Sequence, residues 1–198
     1  MKKIISLLGL MAFFAFGVYA DNEVNSVFNS GATGTTSATA IVPPGKGTAV
    51  ITDMITRYDA GNVTATTHIR TAKAVKPVTS ATSASGSVVY FDNSASLVAA
   101  SGYLLVKDGS GSYQLLRASA VATTSVTVYQ TITAAMTVND FVYPLNTSVQ
   151  RPALNAISAT AQAEKYLYLP ESLPAAITLD GNTTSCAISI SGVRSAYK

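Results

Sequence analysis

From residue 48 to residue 193 the chain falls into short runs in which apolar and polar positions alternate with a period of two. Val, Ile, Thr and Tyr fill these runs, and Gly, Asn, Asp or Pro separate them, the pattern of strands with one buried face joined by turns. Strands are predicted at 48–58, 63–72, 87–91, 103–107, 112–118, 125–132, 140–143, 165–169, 176–179 and 185–193. Asp108-Gly109 and Asp180-Gly181 stand between adjoining runs. Asp-Gly supplies the positive φ that a tight connection needs, so each predicts a hairpin. Residues 149–164 differ: Arg151-Pro152 opens the segment, and 159–164 predicts a short helix. Residues 21–47 are polar and turn-rich and read as a flexible leader. The leader carries one edge strand, Ala38-Thr39-Ala40-Ile41-Val42, stopped by Pro43-Pro44-Gly45.

The fold class that follows is all-β: a β-sandwich over 48–198 with a nested small β-barrel-like insertion at 97–145. In the insertion four short strands make a meander, with Asp108-Gly109 at its centre and Val138-Asn139-Asp140-Phe141-Val142-Tyr143 closing it. In strand spacing and turn placement this run resembles a small SH3-like barrel, and the resemblance implies a fold without a function. A transmembrane β-barrel would require strands of roughly 9–11 residues with an unbroken outward apolar band. Most runs here are shorter.

Residues 4–18 are uncharged and apolar without alternation, preceded by Lys2 and Lys3 and followed by the small-residue boundary Val18-Tyr19-Ala20. These three zones are those of a secretory signal peptide at 1–20, with cleavage expected after Ala20. The apolar stretch falls short of the roughly 20 residues that span a bilayer, so no membrane span is expected in the mature chain. The expected location is outside the cytoplasm: the extracellular space, the cell surface or the periplasm. Without Lys2 and Lys3, the thirteen basic side chains fall to within one of the ten acidic ones. A near-neutral chain offers no cationic stripe, and nucleic acid is not an expected partner.

Only 12% of residues are charged, about half the share usual in globular proteins. Ser, Thr and Ala take the surface instead, and weak mutual repulsion favours association of the chain with itself. The single cysteine, Cys186, excludes an intramolecular disulfide. It reads as a small buried hydrophobe.

The candidates for chemistry are few. His68 is the lone histidine, and alternation puts Thr64, Thr66, His68 and Arg70 on the polar face of their strand, opposite Val63, Ala65, Thr67 and Ile69. A neighbouring Arg lowers an imidazole pKa, which suits a general base, yet a solvated or interfacial strand has the same pattern. Most acidic residues fall in turns. Asp53 lies inside a strand, where an ion pair with Arg57 or Arg70, or a β-bulge, accounts for it better than a catalytic acid does. Gly109-Ser110-Gly111-Ser112 lacks the Lys-Ser/Thr of a phosphate loop and reads as a turn. No spacing of His, Cys or carboxylates suggests a metal or other cofactor. Among the ten tyrosines, Tyr166 and Tyr168 share one strand face, from which a phenol can stack on a sugar ring or a neighbouring subunit. Ala38, Ala40, Ile41 and Val42 form a strand able either to fold back on its own sheet or to add to the sheet edge of another copy. The leading expectation is an exported, non-enzymatic structural subunit that self-associates. The alternatives are an adhesin or carbohydrate-binding module using exposed tyrosines on surface glycans, and an exported hydrolase built on His68 or Asp53.

Overall fold

The computed structural model describes residues 24–34, 37–43, 48–58, 65–146, 149–152, 162–164, 167–169, 173–181 and 186–195. The first strands are β1 (Val24–Gly34), β2 (Ser37–Val42), β3 (Thr48–Tyr58), β4 (Ala65–Thr71), β5 (Lys76–Pro77) and β6 (Val88–Tyr90). A single helical turn, α1 (Ser94–Leu97), precedes β7 (Tyr103–Lys107), β8 (Tyr113–Val121), β9 (Ser125–Val128) and β10 (Phe141–Pro144). The chain closes with β11 (Val149–Pro152), β12 (Gln162–Glu164), β13 (Leu167–Leu169), β14 (Ala175–Gly181) and β15 (Cys186–Ser195). The architecture is all-β, built from antiparallel sheets.

Two sheets form the sandwich. Sheet A runs β1-β15-β3-β12, with β13 also on β3, and sheet B runs β11-β4-β14-β2. The period of two decides what lies between them. Ala38, Ala40 and Val42 of β2, Ile177 and Leu179 of β14, and Ile69 of β4 meet Ile51 and Met54 of β3 and Cys186, Ile188 and Ile190 of β15 in one buried cluster. The thiol of Cys186 donates to the Leu179 carbonyl at 3.8 Å, a contact between the two sheets. In the β3–β15 ladder, Ser191 opposes Asp53 and Gly192 opposes Ile51, so the register slips by one residue beside Asp53. The strand interior therefore holds Asp53 at a bulge.

The remaining strands form a six-stranded sheet in the order β5-β10-β7-β8-β9-β6. It curls into a half-barrel, because Ser80, just past β5 at one end, bridges to Tyr90 of β6 at the other. A register shift in β8 between Ala118 and Ala120 lets that strand pair first with β7 and then with β9 as the sheet bends. Val89, Phe91, Leu104, Val106, Leu116, Val126, Ile132, Met136 and Val142 fill the concave side. Two of these strands, β5 and β6, lie upstream of residue 97, so the sheet spans Lys76 to Pro144.

This sheet replaces the loop of a hairpin. Strands β4 and β11 pair directly, Ile69 opposite Val149 and Thr67 opposite Arg151. The outgoing and returning chains are zipped together by the Ala72–Leu145 bridge, by Lys73 N–H to the Pro144 carbonyl at 2.8 Å, and by Asn146 Nδ2 to Thr71 Oγ1 at 3.0 Å. An insertion whose ends meet in this way leaves the host sheets undisturbed.

Three features depart from the sequence reading. Asp180-Gly181 makes no hairpin: β14 belongs to sheet B and β15 to sheet A, and the two strands do not pair. Asp-Gly specifies a local turn but not which sheet the next strand joins. No helix occupies Gln162–Glu164, which pairs as β12 with Met54, Ile55 and Thr56 of β3. Pairing with an available edge overrides a weak helical preference. Finally, two strands lie where the leader was expected to hold one, with β1 paired along β15 and β2 along β14.

Because Ala38, Ala40 and Val42 complete the sandwich core, a chain beginning at Gly45 is expected to lose its cooperative thermal transition by circular dichroism. A peptide spanning 24–44 added in trans should restore it. A cooperative transition in the truncated chain alone would show that β1 and β2 are dispensable.

Candidate functional site

The half-barrel rests on the outer face of sheet B. In β7, Leu104 and Val106 point into the half-barrel while Tyr103 and Leu105 point the other way, as do Tyr113 and Leu115 of β8 and Tyr143 of β10. These side chains pack on Ala176 of β14, Ile41 of β2, Ala72, Leu145 and Leu173. Ala176 is fully buried although it lies on the face of β14 turned away from the sandwich core. Tilted rings continue the contact, with Tyr113 6.0 Å and Phe141 6.4 Å from Tyr143.

The same outer face carries the polar groups of β4 and β14. His68 opposes Thr178, and Arg70 opposes Ala176. His68 Nε2 lies 3.3 Å from Asp180 Oδ2, an ion pair whenever the imidazole is protonated. Burial pushes the His68 pKa below its ordinary value, and the charge of Arg70 adds to this, while Asp180 acts in the opposite sense. Arg70 is 7% exposed. Its guanidinium lies 3.9 Å from the centre of the Tyr103 ring, a cation–π contact that partly offsets desolvation. Arg117 of β8 reaches the same ring at 5.9 Å and the exposed Tyr129 ring at 5.7 Å. Burial lowers the Arg70 pKa and Arg117 adds to that, against Tyr103 and Asp180.

His68 and Asp180 have the partnership of an acid–base pair. Thr178, the hydroxyl adjoining His68 in the ladder, is 5% exposed and its Oγ1 has no hydrogen-bond partner. A nucleophile requires access to substrate, and this position offers little. The His68–Asp180 contact links β4 and β14 across their ladder.

Other sequence candidates lie elsewhere. Asp53 is on β3 in sheet A, in a different sheet from His68. Tyr166 lies outside the described residues, and the backbone of Tyr168 opposes Val50 at a position whose side chain is not described. Ala38, Ala40 and Val42 are buried in their own core, while Ile41 faces the half-barrel. Asp108 closes the β7–β8 turn: its Oδ1 accepts from the backbone N–H groups of Ser110 and Ser112 at 2.9 and 3.1 Å, and from the Ser110 hydroxyl. The Ser110 hydroxyl chiefly, with backbone donors, holds that carboxyl below the ordinary range. The glycine-serine run is thus a hairpin turn. Sequence reasoning missed Tyr103, Arg117 and Asp180 as members of this junction. The available signal was Arg70, a cation on a strand face that alternation already shared with His68.

No helix among the described residues is long and apolar enough to cross a membrane. Since the folded state holds the His68 pKa down, the unfolded chain binds the extra proton first as pH falls. The stability contributed is complete above the ordinary value of 6.5 and is lost as pH falls through and below it. Urea titrations across this range should show stability declining on acidification, and His68→Gln should flatten that decline. An unchanged slope in the variant would contradict the assignment.

No protein-family model matches the chain, and no curated protein matches it. Among solved structures, it is similar to VP17, a capsid protein of bacteriophage P23-77, at 11% identity, covering 86% of this chain and 96% of that one, with a TM-score of 0.22. A likeness at that level carries no argument about this chain's fold or role.

Proposed function

We propose that the chain is an exported, non-enzymatic structural subunit whose copies associate through the sandwich edge formed by β1 and β2. The observation that carries this reading is the absence of charge along that edge. β1 ends sheet A and β2 ends sheet B among the described strands, and no Asp, Glu, Lys, Arg or His occurs from Val24 to Val42. Soluble proteins usually protect long edge strands with charges, prolines or bulges, since unpaired N–H and C=O groups otherwise recruit another strand. Of these devices β1 has one register shift, at its Val24/Ser26 end, and Pro43 comes only after β2 has ended.

Association at this edge leaves the fold of each copy intact. It differs from donation of β2, because β2 is already engaged with β14. The contact adds strand to strand and, if it joins unlike edges, propagates as a filament unless the rotation closes a ring. The low charged fraction, 12%, supports the same reading by weakening repulsion between copies.

Ala32 and Thr33 of β1 are exposed, so lysines there should block pairing without disturbing the core. Light scattering and electron microscopy of the chain from Asp21 onward should show mass growing with concentration. The Ala32→Lys/Thr33→Lys variant should remain at the mass of one chain with an unchanged melting curve. Assembly of the variant equal to that of the unsubstituted chain would contradict the reading, as would a single-chain mass for both.

A further inference from the structure

We infer that the cleft between the half-barrel and sheet B is a binding site for a small oxyanion, a carboxylate or a phosphate, with Arg70 as its principal donor. The cleft has a volume of about 180 Å3 and is lined by Arg70, Lys73, the Ala99–Gly102 turn, Tyr103, Leu145 and Asn146. At about 30 Å3 per water it has room for about six waters, enough for a phosphate or a short carboxylic acid. Lys73, Ser101 and Asn146 are exposed at its rim, while Arg70 and Leu145 are buried at its floor.

The charge balance points to an anion. Two of the lining side chains are cationic and none is acidic. Arg70 is more than nine-tenths buried, and its Nε has no hydrogen-bond partner. A guanidinium held in a desolvated position without a carboxylate beside it costs free energy that an anion in the adjoining cleft would recover through its charge. Tyr103 covers the face of the guanidinium at 3.9 Å, but a ring face does not take up the in-plane N–H donors. Among the described residues no carboxylate lies within ion-pair distance of Arg70, and Asp180, whose charge reaches it, is engaged with His68. Lys73 Nζ donates to the Leu97 carbonyl at 3.1 Å, which holds the ammonium near the rim with further donors to offer. A planar fork held by stacking, with a second cation beside it, is a geometry that recognises an oxyanion.

This inference does not depend on how copies associate. The test uses the chain from Asp21 onward, with inorganic phosphate and acetate as separate probes against chloride at matched ionic strength. Isothermal titration calorimetry reads affinity, and thermal melting reads ligand-dependent stabilisation. At least one probe should bind saturably. Arg70→Gln should weaken that binding by about tenfold or more, the loss of one charge-assisted hydrogen bond. Lys73→Gln, at an exposed position, should weaken it by a smaller factor and keeps the test decisive if Arg70→Gln fails to fold. Binding of acetate but not phosphate identifies a carboxylate site, and the reverse a phosphate site. Binding of neither beyond the chloride control overturns the inference, as does binding that both variants leave unchanged.

Discussion

Strand β14 runs through the middle of the molecule with both faces covered. Ala175, Ile177 and Leu179 turn toward the sandwich core, and Ala176 and Thr178, on the opposite face, are buried as well. A strand shielded on two sides reads as a continuous apolar run, and Ala175-Ala176-Ile177-Thr178-Leu179 is nearly that. The arrangement depends on the insertion: β4 and β11 pair as a hairpin would, and the half-barrel between them folds back against the sheet that carries it. The two cores are thus coupled through one sheet.

That coupling determines where the polar groups must go. A cation on the outer face of β4 would be solvated in a free-standing sandwich. Here Arg70 is covered by the half-barrel and stacks on Tyr103. His68, two residues earlier, finds Asp180. Each contact joins segments distant in sequence, so the junction forms only when both sheets are in place. It also holds two buried polar atoms that have no hydrogen-bond partner among the described residues, Arg70 Nε and Thr178 Oγ1. A fold buries such groups at a cost.

The strands were legible wherever alternation was strong. Residues 48–58 and 103–107 have the bounds that their patterns predict, since Val, Ile and Leu recur there at the period that a half-buried sheet demands. The Asp108 turn was legible because its chemistry is local. Sheet membership was not. Asp180-Gly181 resembles Asp108-Gly109 in sequence, yet the first stands between strands of different sheets and the second closes a hairpin. The strand at 162–164 was hidden for a related reason, as Gln-Ala-Glu favours a helix until β3 presents an edge. Of the site, alternation placed His68 and Arg70 on one face, but Tyr103 lies across the insertion, at a separation no periodicity reports.

The uncharged edge made by β1 and β2 is the feature through which this fold would act on another copy of itself. Amide hydrogen exchange compared between dilute and assembled protein tests that claim most directly. The account predicts that segments within 24–42 gain protection on assembly, while 103–116, which pairs within its own half-barrel, is unchanged. Protection that rises in 103–116 and leaves 24–42 as it was would contradict it.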